Sequence, residues 1–182
     1  HPMNQYLLYV AADCSGSMAE SGKAQVLAHL LSYVAERVRG QQLPAWCTGV
    51  HALAWAATVQ HMPLPLEHEP APLRPEGRAD ATVFMDALER LLAEARAPLR
   101  ILLLSDGGVD HVVQKRWQAW RASVAFDMRA VAVGADASRT ALEALAGKGH
   151  VFEAEDIGIA MQDWESCHPA PVCLADTQQD AW

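Results

Sequence analysis

The sequence predicts an α/β fold: a doubly wound, mostly parallel six-stranded sheet with one antiparallel edge strand and helices on both faces. Three observations predict it. Short, unbroken apolar runs recur along the chain, as in strands buried on both faces: YLLYVAA at 6–12, RILLLS at 100–105 and MRAVAV at 128–133. Longer segments with apolar residues at helical spacing alternate with them. Small polar or acidic residues follow the ends of the runs, where an open parallel sheet places its loops. Right-handed crossovers between parallel strands then leave a doubly wound topology.

The first strand is Tyr6 to Ala12, ending at Asp13 and a small polar loop. A helix follows over about Lys23 to Arg39, with Val26, Leu27, Leu30, Leu31, Val34 and Val38 on one face and Gly40 as its stop. Cys47 to Met62 divides into two strands around a tight turn near Ala56-Ala57. So short a connection makes the second of them antiparallel. Five of the ten prolines lie between Pro63 and Pro75, which predicts an irregular surface loop.

A second helix spans about Val83 to Arg96, stopped near Pro98, before the strand Arg100 to Ser105. Val112 to Ala125 is helical, with Val113, Trp117, Trp120 and Val124 facing the core. The strand Met128 to Val133 precedes a short helix capped by Ser138 and running to Ala146. His150 to Phe152 is the last strand and Glu155 to Trp164 the last helix. Residues 5–164 thus read as one domain, and 165–182 as a tail without periodicity that is expected to pack loosely.

Bulk properties narrow the function. The 182 residues carry a formal net charge of −8, which argues against nucleic acid and anionic membranes as partners. No stretch has the length of a transmembrane helix. Four scattered cysteines make no disulfide framework, and Cys14 and Cys47 are expected to be reduced thiols in a cytoplasmic protein. The opening residues lack the regions of a signal peptide; His1 and Pro2 read as remnants of a tag before a natural start at Met3.

Three polar groups fall at predicted strand ends or helix starts: Asp13, Ser15 and Ser17 after the first strand, Thr82 before the second main helix, and Asp106 after Ser105. If the first strand and the Arg100 strand are neighbours, two carboxylates and three hydroxyls meet at one place. A set made only of oxygens suits Mg²⁺, with Mn²⁺ or Ca²⁺ as substitutes, rather than Zn²⁺. Taken alone, Asp-x-Ser-x-Ser can also be a helix-capping loop.

These residues resemble the metal-ion-dependent adhesion site of von Willebrand factor A and integrin I domains. That signature is Asp-x-Ser-x-Ser, a downstream Thr, and an Asp after a hydrophobic strand; Asp13, Ser15, Ser17, Thr82 and Asp106 match it in order. The resemblance extends through Ser105-Asp106-Gly107-Gly108, Val131 to Asp136 and Gly149 to Phe152, covering about Gln5 to Trp164. It implies that Ser15 and Ser17 ligate the metal directly, with Asp13 and Asp106 acting partly through water. It implies a binding module rather than an enzyme, gripping a partner protein that supplies an Asp or Glu carboxylate. Short members resemble cytosolic bacterial proteins encoded with AAA+ ATPases of the MoxR kind, or with tellurite-resistance-type systems. Ala81 stands where many relatives carry Gly. Asp13→Ala is expected to leave the fold intact, as loss of a surface ligand.

Two rival readings stand beside this one. A haloacid-dehalogenase-like phosphatase also places an Asp after its first strand, and Asp106 to Asp110 imitates its later acidic motif. It needs an acid two residues after that first Asp, where this chain has Ser15, and a phosphate-binding lysine, for which Lys23, Lys115 and Lys148 are poorly placed. The other rival is a scaffold with an unused metal site. Asp80 and Asp110 read as loop acids near the site, and Asp86 as a first-turn helix acid. His111 reads as a surface-loop or rim residue, and Cys167, His168 and Cys173 as part of an unremarkable tail rather than a zinc site.

Overall fold

The computed structural model of the chain describes residues 5–67 and 73–164. Six strands form one sheet: β1 (Tyr6–Asp13), β2 (Cys47–Trp55), β3 (Val59–Met62), β4 (Leu99–Ser105), β5 (Asp127–Ala132) and β6 (Val151–Glu153). Their spatial order is β3-β2-β1-β4-β5-β6. Every neighbouring pair is parallel except β2 with β3, which form the expected antiparallel edge. β1 and β4 lie side by side at the centre, with Val10 opposite Leu102 and Ala12 opposite Leu104. The chain winds outward from β1 in one direction and from β4 in the other, so the crevice between their carboxyl ends is the topological switch point.

Five helices cover the sheet: α1 (Lys23–Arg39), α2 (Ala81–Glu94), α3 (His111–Arg121), α4 (Arg139–Ala146) and α5 (Ile157–Gln162). Successive strand side chains point to opposite faces, which divides the core in two. Leu8, Val10, Leu102 and Leu104 face one way and pack with Leu27 and Leu31 of α1 and with Met161 of α5. Tyr9, Ala11, Ile101 and Leu103 face the other way and pack with Phe84 and Leu88 of α2, Trp117 of α3 and Leu142 of α4. The continuous apolar runs are thereby explained, since β4 is buried at all seven positions.

Several boundaries differ from expectation, each for a local reason. Helix α2 begins at Ala81 because the Asp80 side chain accepts from the Val83 amide, so Asp80 is an N-cap and Asp86 lies in the second turn. Asp110 caps α3 in the same way through the Val113 amide. That helix ends at Arg121, where the Ser123 hydroxyl donates to the Trp120 carbonyl, and Val124 lies beyond it. The expected last helix is divided into a 3₁₀ turn (Ala154–Asp156) and the short α5. Trp117 is fully buried as expected; Trp120 is only half-buried, and its indole donates to Glu89 Oε1 at 2.6 Å. Cys14 and Cys47 are free thiols. Cys167, His168 and Cys173 lie outside the described residues. Among the described residues, no helix is long and apolar enough to cross a membrane.

Candidate metal centre

Three loops meet at the carboxyl ends of β1 and β4, and backbone hydrogen bonds tie them together. The Gly16 amide donates to Gly77 O at 2.8 Å, and the Glu76 amide donates to Cys14 O at 2.9 Å. The Asp80 amide donates to Ala56 O at 2.8 Å, and the Trp55 indole donates to Asp80 O at 2.9 Å. The first two bonds fix the segment before α2 against the loop after β1, and the last two fix it against the end of β2 and the turn that follows. On the other side, the Ser138 amide donates to Asp106 O at 2.9 Å. Gly107 makes that approach possible: its φ is +74°, and a Cβ there would stand 2.6 Å from Ser138 O.

Asp13 is the hub of the first loop and is almost wholly buried (1% exposed). Its Oδ1 accepts from the Ser15 amide at 2.9 Å and from the Ser15 hydroxyl at 2.6 Å. Its Oδ2 accepts from the Ser105 hydroxyl at 2.6 Å. The Ser105 oxygen in turn accepts from the Gly107 amide at 3.0 Å. Ser15 Oγ and Ser17 Oγ are 3.4 Å apart. Asp106, also buried, accepts from the Gly108 amide at 3.0 Å and from Lys23 Nζ at 3.0 Å.

A cleft of about 470 Å³ opens over this corner. Ser15, Ser17, Thr82 and Gly108 line it, with Arg78 and Arg116 among the other lining residues. Asp13 and Asp106 stand behind this lining. Of the five expected site residues, Asp13, Ser15, Ser17 and Asp106 are joined in one hydrogen-bonded cluster. Thr82 lies on the same cleft, but its hydroxyl accepts from Arg116 at 3.0 Å.

Charge differs between the two carboxylates. Burial pushes the Asp13 carboxyl up, hydrogen bonds from Ser105 and Ser15 pull it back, and the nearby Asp106 charge adds to the rise, leaving it raised. Burial acts in the same sense on Asp106. There, hydrogen bonds from Ser17, Lys23 and the Gly108 amide, with the Lys23 charge, hold the carboxyl below its ordinary value. Asp106 thus has a cationic partner, whereas the donors to Asp13 are hydroxyls and one amide.

The donor set fits a hard cation. The groups converging here are carboxylates and hydroxyls, while the Cys14 side chain inside the motif turns into the core beside α1. Among the described residues, no three His, Cys, Asp or Glu gather as a metal site, so a cation here would depend on the serine hydroxyls.

Sequence reasoning missed three participants. In the sequence Ser105 is marked only as a strand end, and its hydroxyl directly before Asp106 is the one signal of its role. Lys23 carries no sequence signal beyond being poorly placed for a phosphate; its ammonium bridges Asp106 and Asp136. Asp136 lies in the Val131 to Asp136 segment of the resemblance but has no role assigned there, because its contact depends on the β5–α4 loop folding over Lys23. Asp13, expected to be a surface ligand, is instead a buried acceptor of three hydrogen bonds.

The architecture is the doubly wound α/β fold of von Willebrand factor A domains. Solved structures with this fold include proximal thread matrix protein 1 from the mussel byssus, with a zinc-occupied metal-ion-dependent adhesion motif (14% identity over 87% of this chain and 44% of that one, TM-score 0.57). The ArnB paralog VWA2 from Sulfolobus acidocaldarius is similar (15% identity, 88% of this chain and 45% of that one, TM-score 0.55). So is BatB from Bacteroides thetaiotaomicron (11% identity, 85% of this chain and 98% of that one, TM-score 0.57). The chain spans less than half the length of the first two. Likeness at this level of identity concerns the fold. No family model and no curated protein matches the sequence.

Proposed function

We propose that this chain is a protein-binding module that takes Mg²⁺, or Mn²⁺ or Ca²⁺ in its place, at the corner formed by Asp13, Ser15, Ser17, Thr82 and Asp106. The observation that carries the reading is the Asp13 cluster: a buried carboxylate with no cationic donor among the described residues, set behind two serine hydroxyls on an open cleft. Such a charge attracts a cation strongly where water is scarce. Ser15 and Ser17 are the oxygens placed to hold the ion, while Asp13 and Asp106 orient them and supply negative charge. A bound divalent ion offers a Lewis-acidic position to a carboxylate from outside.

The partner is a protein that presents an Asp or Glu side chain. Arg116 and Arg78 line the same cleft and favour an acidic segment over a basic one. Arg116 also holds the Thr82 hydroxyl, so that a partner contact at Arg116 would be felt at Thr82. The resemblance points to a component of a cytoplasmic bacterial system, of the MoxR-type AAA+ ATPase or stress-resistance kind.

Calorimetric titration of Mg²⁺ and Mn²⁺ into the wild type and into S15A/S17A tests the site. Saturable binding in the wild type that the double variant loses supports the reading. Equal heats in the two proteins would overturn it. Retention of an acidic partner that persists in EDTA would remove the metal from the interaction.

A further inference from the structure

We infer that the Lys23 ammonium is a built-in competitor for the cation, occupying one oxygen of Asp106 and setting how tightly the site can take a divalent ion. This rests on the metal-site reading above.

Lys23 is the first residue of α1 and only 2% exposed. A lysine is rarely buried unless its charge is paired. The first turn of a long helix is also an unfavourable place for a cation, because the helix dipole is positive there. Strong local partners therefore have to hold it. Nζ lies 3.0 Å from Asp106 Oδ2, and 2.9 Å and 3.0 Å from the two oxygens of Asp136. Asp136 is largely exposed (66%), so solvent screens its share of the charge, whereas the contact with Asp106 is buried.

The backbone is shaped around this side chain. Gly134 has a φ of +95°, and a Cβ there would stand 2.8 Å from Lys23 Cε and 3.0 Å from Cγ. Any other residue would drive the lysine stem out of its path. The bridge thus joins α1, the end of β4 and the loop after β5 at the back of the cation corner.

The competition is electrostatic. Asp13 and Asp106 together offer two negative charges, and Lys23 cancels one of them at hydrogen-bond distance. An incoming divalent ion meets an Asp106 carboxylate already shared with an ammonium. Removing the lysine charge should tighten cation binding, whereas a lysine that only supports the loop should leave it equal or weaker on removal.

The test is Mn²⁺ titration by calorimetry on the full chain, comparing wild type, Lys23→Gln and Asp136→Asn, with circular dichroism to check folding. Lys23→Gln keeps a hydrogen-bond donor near Asp106 without the charge. It should bind Mn²⁺ about tenfold tighter or more. Asp136→Asn alters an exposed side chain and leaves Lys23 to Asp106 alone, so it should bind severalfold more weakly. A wild type that binds through Ser15 and Ser17, with a folded Lys23→Gln no tighter, would overturn the inference and leave the metal site standing. If Lys23→Gln does not fold, an Asp136→Asn affinity equal to wild type overturns it by itself. Absence of Mn²⁺ binding in all three proteins would remove the metal reading, and this inference with it.

Discussion

Ser105 Oγ donates to Asp13 Oδ2 at 2.6 Å, across the seam between β4 and β1. The two residues are 92 positions apart in the chain, and this contact joins the two halves of the doubly wound sheet at the switch point. Ser105→Ala removes the donor from a buried carboxylate and leaves the Gly107 amide without its acceptor. The expected loss is about 1–3 kcal/mol. Urea unfolding of the wild type and the variant measures it; an unchanged midpoint would place the seam's strength elsewhere.

Replacing Asp13 separates charge from hydrogen bonding. Asp13→Ala strips Ser15 and Ser105 of their acceptor in a buried setting, at a cost of about 1–3 kcal/mol. Asp13→Asn keeps an accepting oxygen and should remain closer to the wild-type melting temperature. Both should retain the wild-type circular dichroism spectrum at 25 °C, because the hydrophobic clusters on the two sheet faces are untouched. Both should lose divalent cation binding.

Gly107→Ala tests the backbone beneath Asp106. Its left-handed φ of +74° and the approach of Ser138 O leave no place for a methyl group. Strain of about 1–3 kcal/mol is expected. Because Gly107 separates Asp106 from the Gly108 amide that holds it, cation binding should weaken together with stability. A variant equal to wild type in both respects would show that the loop relaxes freely.

Trp117 is the aromatic anchor of the α2–α3–α4 side. It is fully buried, its ring centroid lies 5.5 Å from that of Phe84 and 5.0 Å from that of Trp120, and its indole donates to Leu145 O at 2.8 Å. Trp117→Ala should cost about 3–5 kcal/mol. Trp117→Phe keeps most of the packing but leaves the Leu145 carbonyl without that donor, so a smaller loss is expected in thermal unfolding.

Cys14 should resist alkylation despite its place between two site residues. Burial pushes its thiol up to about 11, with the Asp13 charge adding to the shift and a backbone contact at Trp55 opposing it. The thiolate is the reactive form, and its population rises only as pH approaches that value. Peptide mapping after iodoacetamide treatment of the native protein at pH 7.5 should find Cys14 largely unmodified, with full labelling after denaturation. Rapid native labelling would mean that the loop opens readily.

The order of strands and helices, the antiparallel edge and the clustering of Asp13, Ser15, Ser17 and Asp106 were all legible in the sequence. Continuous apolar runs mark strands covered on both faces, and such strands end where an open α/β sheet carries its polar loops. Helix starts were less legible, because Asp80 and Asp110 are caps only once the local chain has turned, and nothing in composition separates a capping acid from a loop acid. The tertiary structure alone decided the electrical state of the site. Lys23 meets Asp106 across 83 positions and Asp136 across 113, and Ser105 reaches Asp13 across 92. Periodicity reports on neighbours a few residues apart along one element, whereas the pairing of buried charges depends on which strands lie together and which loops fold over them.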